Sequence, residues 1–322
     1  MKIYKRLEYI AKRLGFNKNS KSVKLAKKIM YAMRYIRCMY KALIRFIKSN
    51  IFIRIPKTSD IPIEVCIVTI NKDFHMLENC VNSIRKFVKH PITKISIVSR
   101  QNEFLNKFCN ENNCVFVEEA SILGYGVDRI KEINEQTINE ANLKGREGWL
   151  LQQLLKLGFG RVSEQENYLV VDTDTVFLKP RVYKFKTTTI FEYSDEWHIP
   201  YLNAYENLMG FPFSAKKSLV AHNMLFEKSV LTEMKNHIED KHSLPWDEAY
   251  MITADFSSKS FCCDYDTYGN FFMRFHKRYM KSLYWLNVTA LVYNDDTKYP
   301  FWAQSLSCHT YLLKMQEMLT PQ

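Results

Sequence analysis

Tyr168-Leu169-Val170-Val171-Asp172-Thr173-Asp174 is the stretch on which the fold turns. Four strand-forming residues run straight into two carboxylates, and Thr175-Val176-Phe177-Leu178-Lys179-Pro180 follows. Both acids can serve one site if the chain turns there and projects them into a crevice beyond the sheet edge. That crevice is where open α/β sheets bind ligands. Two carboxylates beside an apolar strand repel each other and resist burial, and a hard divalent cation relieves both problems.

Working outward, the preceding segment Gly148-Trp149-Leu150-Leu151-Gln152-Gln153-Leu154-Leu155-Lys156-Leu157 predicts a helix. Leu150, Leu154 and Leu157 make one stripe, and Gln152 and Lys156 share another face at i, i+4. A cation at Lys156, one element ahead of the acidic strand end, is placed to reach a phosphate oxygen. Further upstream, apolar strands are expected at Ile63–Ile70, Lys94–Ser99 and Val115–Val117. Helices are expected from Asp73, as a cap, to about Val88, over 103–111, over about 127–141 and over 147–159. This alternation predicts a mainly parallel sheet flanked by helices. Beyond residue 180 the pattern reads as irregular and aromatic.

Composition excludes general disorder: 47% of the 322 residues are hydrophobic and 14% aromatic. The net charge of +12 is unevenly spread. Residues 1–58 hold 17 Lys and Arg against one acid, Glu8, while the rest holds 29 basic and 33 acidic residues. Residues 1–57 therefore read as a basic amphipathic helical arm and 58–322 as the catalytic body. The arm's apolar positions (Ile3, Leu7, Ile10, Leu14, then Val23 to Ile47) recur at helical spacing among Lys and Arg. An anionic membrane surface, met through residues 1–50, is the expected partner, with packing onto the body as the alternative. No nucleic-acid-binding motif is present, and no nucleic-acid partner is expected. No signal peptide is visible, and no apolar stretch is long enough to span a bilayer. The eight cysteines lack metal-type spacing and read as buried free thiols. The expected location is cytoplasmic, peripheral at the inner face of the cytoplasmic membrane.

The helix block from Gly148 to Leu157 and the block from Tyr168 to Pro180 together resemble the GT-A glycosyltransferase superfamily. Within it, the chain is similar to bacterial surface-polysaccharide (capsule and lipopolysaccharide) transferases that carry a D-x-D motif. The layout extends to Ala221-His222-Asn223-Met224-Leu225-Phe226 and to Asp264-Tyr265-Asp266-Thr267-Tyr268-Gly269-Asn270, so it covers roughly residues 63 to 275. The resemblance implies a GT-A, Rossmann-like fold with a donor half at about 63–180 and an acceptor half at about 181–322. It also implies a nucleotide-sugar donor, a glycan or lipid-linked acceptor, and Mn²⁺ or Mg²⁺ held by Asp172 and Asp174. Lys156, Gln152, Gln153 and Arg146 would face the donor, and Thr69, Ile70 and Asn71 would meet its base. His309 fits the late histidine that serves some of these enzymes as a third metal ligand.

Asp264 and Asp266 sit in an apolar, aromatic segment where burial would raise their pKa toward that of a useful base. Either could deprotonate an acceptor hydroxyl, or they could cap a helix starting near Thr267. His222 suits the acceptor side or a hydrogen-bonded core position. Asp195-Glu196-Trp197-His198 offers aromatic faces with carboxylates, which suits sugar stacking. Two other function classes remain: a metal-dependent phosphotransferase, or a catalytically degenerate membrane-docking scaffold. The first lacks a phosphate-cradling glycine loop, and the second would predict loss of Asp172, Asp174 or Lys156.

Overall fold

The computed structural model describes residues 54–289 and 303–307, with Tyr299 and a scatter of positions between 29 and 47. By internal contacts the chain separates into two units, Met1–Ile51 and Phe52–Gln322. In the first, the described residues from Ile29 to Ile47 are helical.

The second unit is an α/β domain. It opens with β1 (Ile63–Val68), buried along its whole length, then a 3₁₀ turn over Asn71–Met76 and α1 (Leu77–Phe87). Leu77, Cys80, Val81 and Ile84 form the buried stripe of α1, at the spacing a half-buried helix requires. Asp73 lies inside the 3₁₀ turn and does not cap α1, because the chain must first clear the end of β1. Next come β2 (Ile92–Ser99), α2 (Glu103–Glu111) and β3 (Val115–Glu118). The Asn102 side chain caps α2 by accepting from Phe104 N at 2.9 Å. The helical region after it is shorter and more broken than its sequence suggests. It comprises α3 (Glu119–Leu123), α4 (Val127–Ile133) and a π turn over Asn134–Ile138. Helix α5 (Glu147–Gly158) leads into β4 (Asn167–Val171). Gly158 lets α5 pack closely on α3, since a Cβ there would come 2.9 Å from Ile122 Cγ2.

Past residue 180 the structure is regular, contrary to expectation. After β5 (Thr175–Phe177) come β6 (Lys184–Phe185), β7 (Thr188–Tyr193), α6 (Ile199–Met209) and β8 (Asn223–Glu227). Then follow α7 (Lys228–His242), α8 (Trp246–Ile252), α9 (Asp264–Phe275), β9 (Met280–Tyr284), β10 (Asn287–Thr289) and β11 (Ser305–Ser307). Helix α7 hides its signal because only Val230, Leu231, Met234 and Ile238 are buried in a mostly polar sequence.

The main sheet has the order β3-β2-β1-β4-β8. The first four strands are parallel, and β8 pairs antiparallel with β4, Asn223 opposite Val171. Two small sheets flank it, β10-β11-β5 and β6-β7-β9. The core centres on β1 and β4: Val65, Ile67, Leu169 and Val171 pack with Leu77, Ile84, Phe177 and Trp285, all essentially buried. Six cysteines (66, 80, 109, 114, 262 and 263) are free thiols, and Cys38 and Cys308 lie outside the described residues.

Candidate active site

The chain leaves β4 at Val171 and turns at once, as the paired carboxylates require. Thr175 N bonds back to Asp172 O at 2.9 Å, and Thr173 Oγ1 donates to Val68 O at 3.0 Å. The turn is thereby tied to the carboxyl end of β1. Antiparallel β8 brings a second segment to the same edge: Asp172 N donates to His222 O at 2.9 Å. His222 holds a left-handed backbone, φ 61°, which is uncommon for a residue with a Cβ.

Four side chains converge on the Asp172 carboxylate or on its cation. From α5, Lys156 Nζ lies 2.6 Å from Asp172 Oδ1 and 3.5 Å from Asp264 Oδ2. From α9, the Tyr265 hydroxyl donates to Asp172 Oδ1 at 2.9 Å, while Lys156 Nζ sits 4.6 Å from the centre of the Tyr265 ring. From the β8 approach, His222 Nδ1 lies 3.2 Å from Asp172 Oδ2. Lys156 is 3% exposed, so it supports Asp172 from beneath rather than standing open as a phosphate clamp.

Electrostatics follow from this packing. Burial alone would push the Asp172 carboxyl up, but the Lys156 ammonium and His222 outweigh it and hold Asp172 well below the usual carboxylate range. Burial likewise disfavours the Lys156 cation, and the Asp172 and Asp264 carboxylates reverse that, leaving it above an ordinary lysine. His222 is pulled down by burial but raised further by its bond to Asp172 and by Glu196 and Asp174, to about 9. Asp264 is pushed up by burial to about 6, with Lys156 opposing.

The α9 acids do not act as a pair. The helix begins at Asp264 rather than near Thr267, and neither acid caps it. Asp264 faces Lys156, whereas Asp266 accepts from Leu219 N at 2.7 Å and Ser218 Oγ at 3.2 Å, anchoring the loop ahead of β8. Each is 1% exposed.

The remaining expected residues divide. Gln152 Nε2 donates to Val68 O at 3.4 Å, and Gln153 Oε1 accepts from Asp264 N at 3.1 Å, so both brace the site. Thr69 is buried with no partner for its hydroxyl, while Ile70 and Asn71 are exposed beside it at the end of β1. Arg146 has other partners: its Nε donates to Lys259 O at 3.0 Å and its guanidinium stacks 4.4 Å from the Trp149 ring. His309 lies outside the described residues. Tyr265 and Thr173 carry contacts that sequence reasoning assigned to neither. Neighbours on a helix point about 100° apart, so the place of Tyr265 directly after Asp264 carried no signal that both meet Lys156.

Glu196 approaches His222 Nε2 to 3.9 Å and is 57% exposed, and Trp197 beside it is 44% exposed. The acidic, aromatic segment after β7 thus borders the carboxylate turn. A surface cavity of about 820 Å³ lies elsewhere, lined by Thr137, Asn203, Asn207, Asp255 and Phe256, and includes none of the residues that meet Asp172.

Asp172 and Asp174 offer hard oxygen donors at one turn, a chemistry that fits Mg²⁺ or Mn²⁺. Among the described residues, no three His, Cys, Asp or Glu side chains form a ready metal cluster. Strand β11 ends with Ser307 opposite Thr175, the residue after Asp174.

Residues 61–302 match a family of unknown function, DUF6492, and the chain belongs to that family. No curated protein matches it significantly. Among solved structures, it is similar to mouse xyloside xylosyltransferase 1 in its apo form, with a TM-score of 0.46 and 10% identity over 78% of this chain and 99% of that one. It is also similar to the galactosyltransferase LgtC in complex with donor and acceptor sugar analogues, with a TM-score of 0.38 and 9% identity over 77% and 88%. A third is glucosyl-3-phosphoglycerate synthase from Mycobacterium tuberculosis with Mn²⁺, UDP and glucosyl-3-phosphoglycerate, with a TM-score of 0.34 and 10% identity over 69% of each chain. Likenesses at this level assign neither substrate nor metal to the chain.

Proposed function

We propose that the chain is a glycosyltransferase that moves a sugar from a nucleotide-sugar donor to a cell-surface glycan or lipid-linked acceptor. The observation that carries this reading is the convergence of Lys156, His222 and Tyr265 on Asp172, with Asp174 on the same turn at the carboxyl edge of β4. Sugar transfer releases a nucleoside diphosphate, and the developing negative charge must be met by fixed positive groups. Lys156 and Tyr265 hold Asp172 ionised and oriented. His222, partly exposed, stands against the other oxygen of that carboxylate.

Asp172 and Asp174 would hold the divalent cation, with His309, two residues past the end of β11, as a third ligand. Bound there, the ion would supply Lewis-acid neutralisation of the diphosphate. Thr69, Ile70 and Asn71 would border the nucleobase. Trp197 offers an apolar face to the sugar. With Asp264 and Asp266 buried, Glu196 is the better-placed carboxylate to take a proton from an incoming hydroxyl.

Calorimetry with a panel of nucleoside diphosphates, with and without Mn²⁺, tests the reading. Manganese-dependent binding of one nucleotide is expected, lost in Asp174→Ala. Well-folded protein that binds none of them would remove the donor site.

A further inference from the structure

The arm helix carries an exposed apolar line. Ile29, Met33, Ile36, Tyr40 and Ile47 are 52, 65, 65, 64 and 42% exposed. At 3.6 residues per turn they fall within an arc of about 60°. Contiguous apolar exposure of this kind marks a contact surface rather than ordinary scatter. Arg37 and Lys41, both exposed, stand to one side of the line.

Two occupants fit such a face, and charge chooses between them. The spacing alternates by three and four with Leu43 in register, which is also a coiled-coil seam. But the seam runs for fewer than three heptads, short of what a stable coiled coil sustains. In the sequence, the positions a heptad would set beside that seam (Met30, Ala32, Arg37, Met39, Ile44 and Phe46) hold one cation and no acid. A second copy would offer no ion pair across the seam and would bring an arm of the same sign, since residues 1–58 hold 17 Lys and Arg and only Glu8. A surface of anionic lipid supplies the missing charge, and long basic side chains can reach lipid phosphates while their stems stay in the apolar layer.

We infer that the arm helix, through its described residues between Ile29 and Ile47, is an interfacial anchor. It lies in the plane of a bilayer rich in anionic lipid, with Ile29, Met33, Ile36, Tyr40 and Ile47 sunk into the headgroup boundary. Its basic residues engage lipid phosphates. The anchor stands independently of the donor-site reading, because its evidence lies wholly in the arm.

Flotation of the full-length protein with phosphatidylcholine vesicles, with and without phosphatidylglycerol, tests it. Binding is expected only with phosphatidylglycerol and should weaken about tenfold or more on raising salt several-fold. Ile36→Asp should weaken it by at least about tenfold without changing the melting temperature, since the residue is exposed. Phe104→Asp, at an exposed aromatic on the body, should leave it intact. Absence of flotation with phosphatidylglycerol, or flotation indifferent to Ile36→Asp, overturns the anchor. Sedimentation showing a dimer broken by Ile36→Asp, with no vesicle binding, assigns the face to a second copy instead.

Discussion

Lys156 lies between Asp172 and Asp264, and Asp264, 1% exposed, sits where water cannot replace it. Lys156→Met keeps most of the side chain's volume and removes the charge, leaving the buried Asp264 without its cation while Asp172 keeps Tyr265 and His222. The expected loss is about 3–5 kcal/mol, read from urea denaturation. Adding Asp264→Asn should recover part of it, because the stranded charge is then gone. Asp266 tests a different consequence of burial. Its carboxyl is pushed up to about 7 by desolvation, with the bonds from Leu219 N and Ser218 Oγ opposing. The folded chain therefore holds a proton that the unfolded chain releases at about pH 4, and stability falls as pH rises from about 4 to 7. Asp266→Asn lacks this slope. Its melting temperature relative to the parent should rise between pH 5 and pH 8; an unchanged difference would show that Asp266 titrates normally.

At the scale of elements, the clearest test is the contact between α9 and the loop ahead of β8. A Cβ on Gly269 would run into the buried Leu219 side chain. Helix propensity favours alanine over glycine by about 1 kcal/mol. Overpacking at a buried contact costs about 1–3 kcal/mol and should win. Gly269→Ala is thus expected to lower stability alone and to raise it in a Leu219→Ala background, a sign reversal that a double-mutant cycle reads directly. These same elements show what the sequence could carry. Strand β4, its terminal turn and helix α5 were legible because apolar runs, spacing and a polar interruption agree over a short span. The roles of Asp264 and Asp266 were not, because they depend on where α9 begins. With the helix starting at Asp264, the two acids point about 200° apart, one to Lys156 and one to the loop. The departure of Arg146 was equally invisible, since it depends on a backbone carbonyl at Lys259, far along the chain. Strand β8 and helix α7 were missed because their burial is set by tertiary neighbours rather than by a strong local period.

Over the whole molecule, Arg181 joins parts that the chain order keeps separate. Its guanidinium lies 3.0 Å from Glu192 on β7, 2.6 Å from Gln304 beside β11, and 3.8 Å from the centre of the Trp285 ring. Arg181→Met strands the Glu192 carboxylate among apolar rings, and calorimetry should show a loss of about 3–5 kcal/mol. Replacing Glu192 with Met as well should restore much of that. The small sheet in which β11 lies on β5 has a further consequence. Phe177 and Ser305 are partners in that sheet although most of the acceptor half lies between them in sequence. Closing so long a loop is slow, and while a nascent chain is still being made, β5 waits with an open edge beside the carboxylate turn. Synthesis that stalls before residue 305 would leave that edge available to another chain, so the interval between making β5 and making β11 is when this protein is most exposed to misassembly.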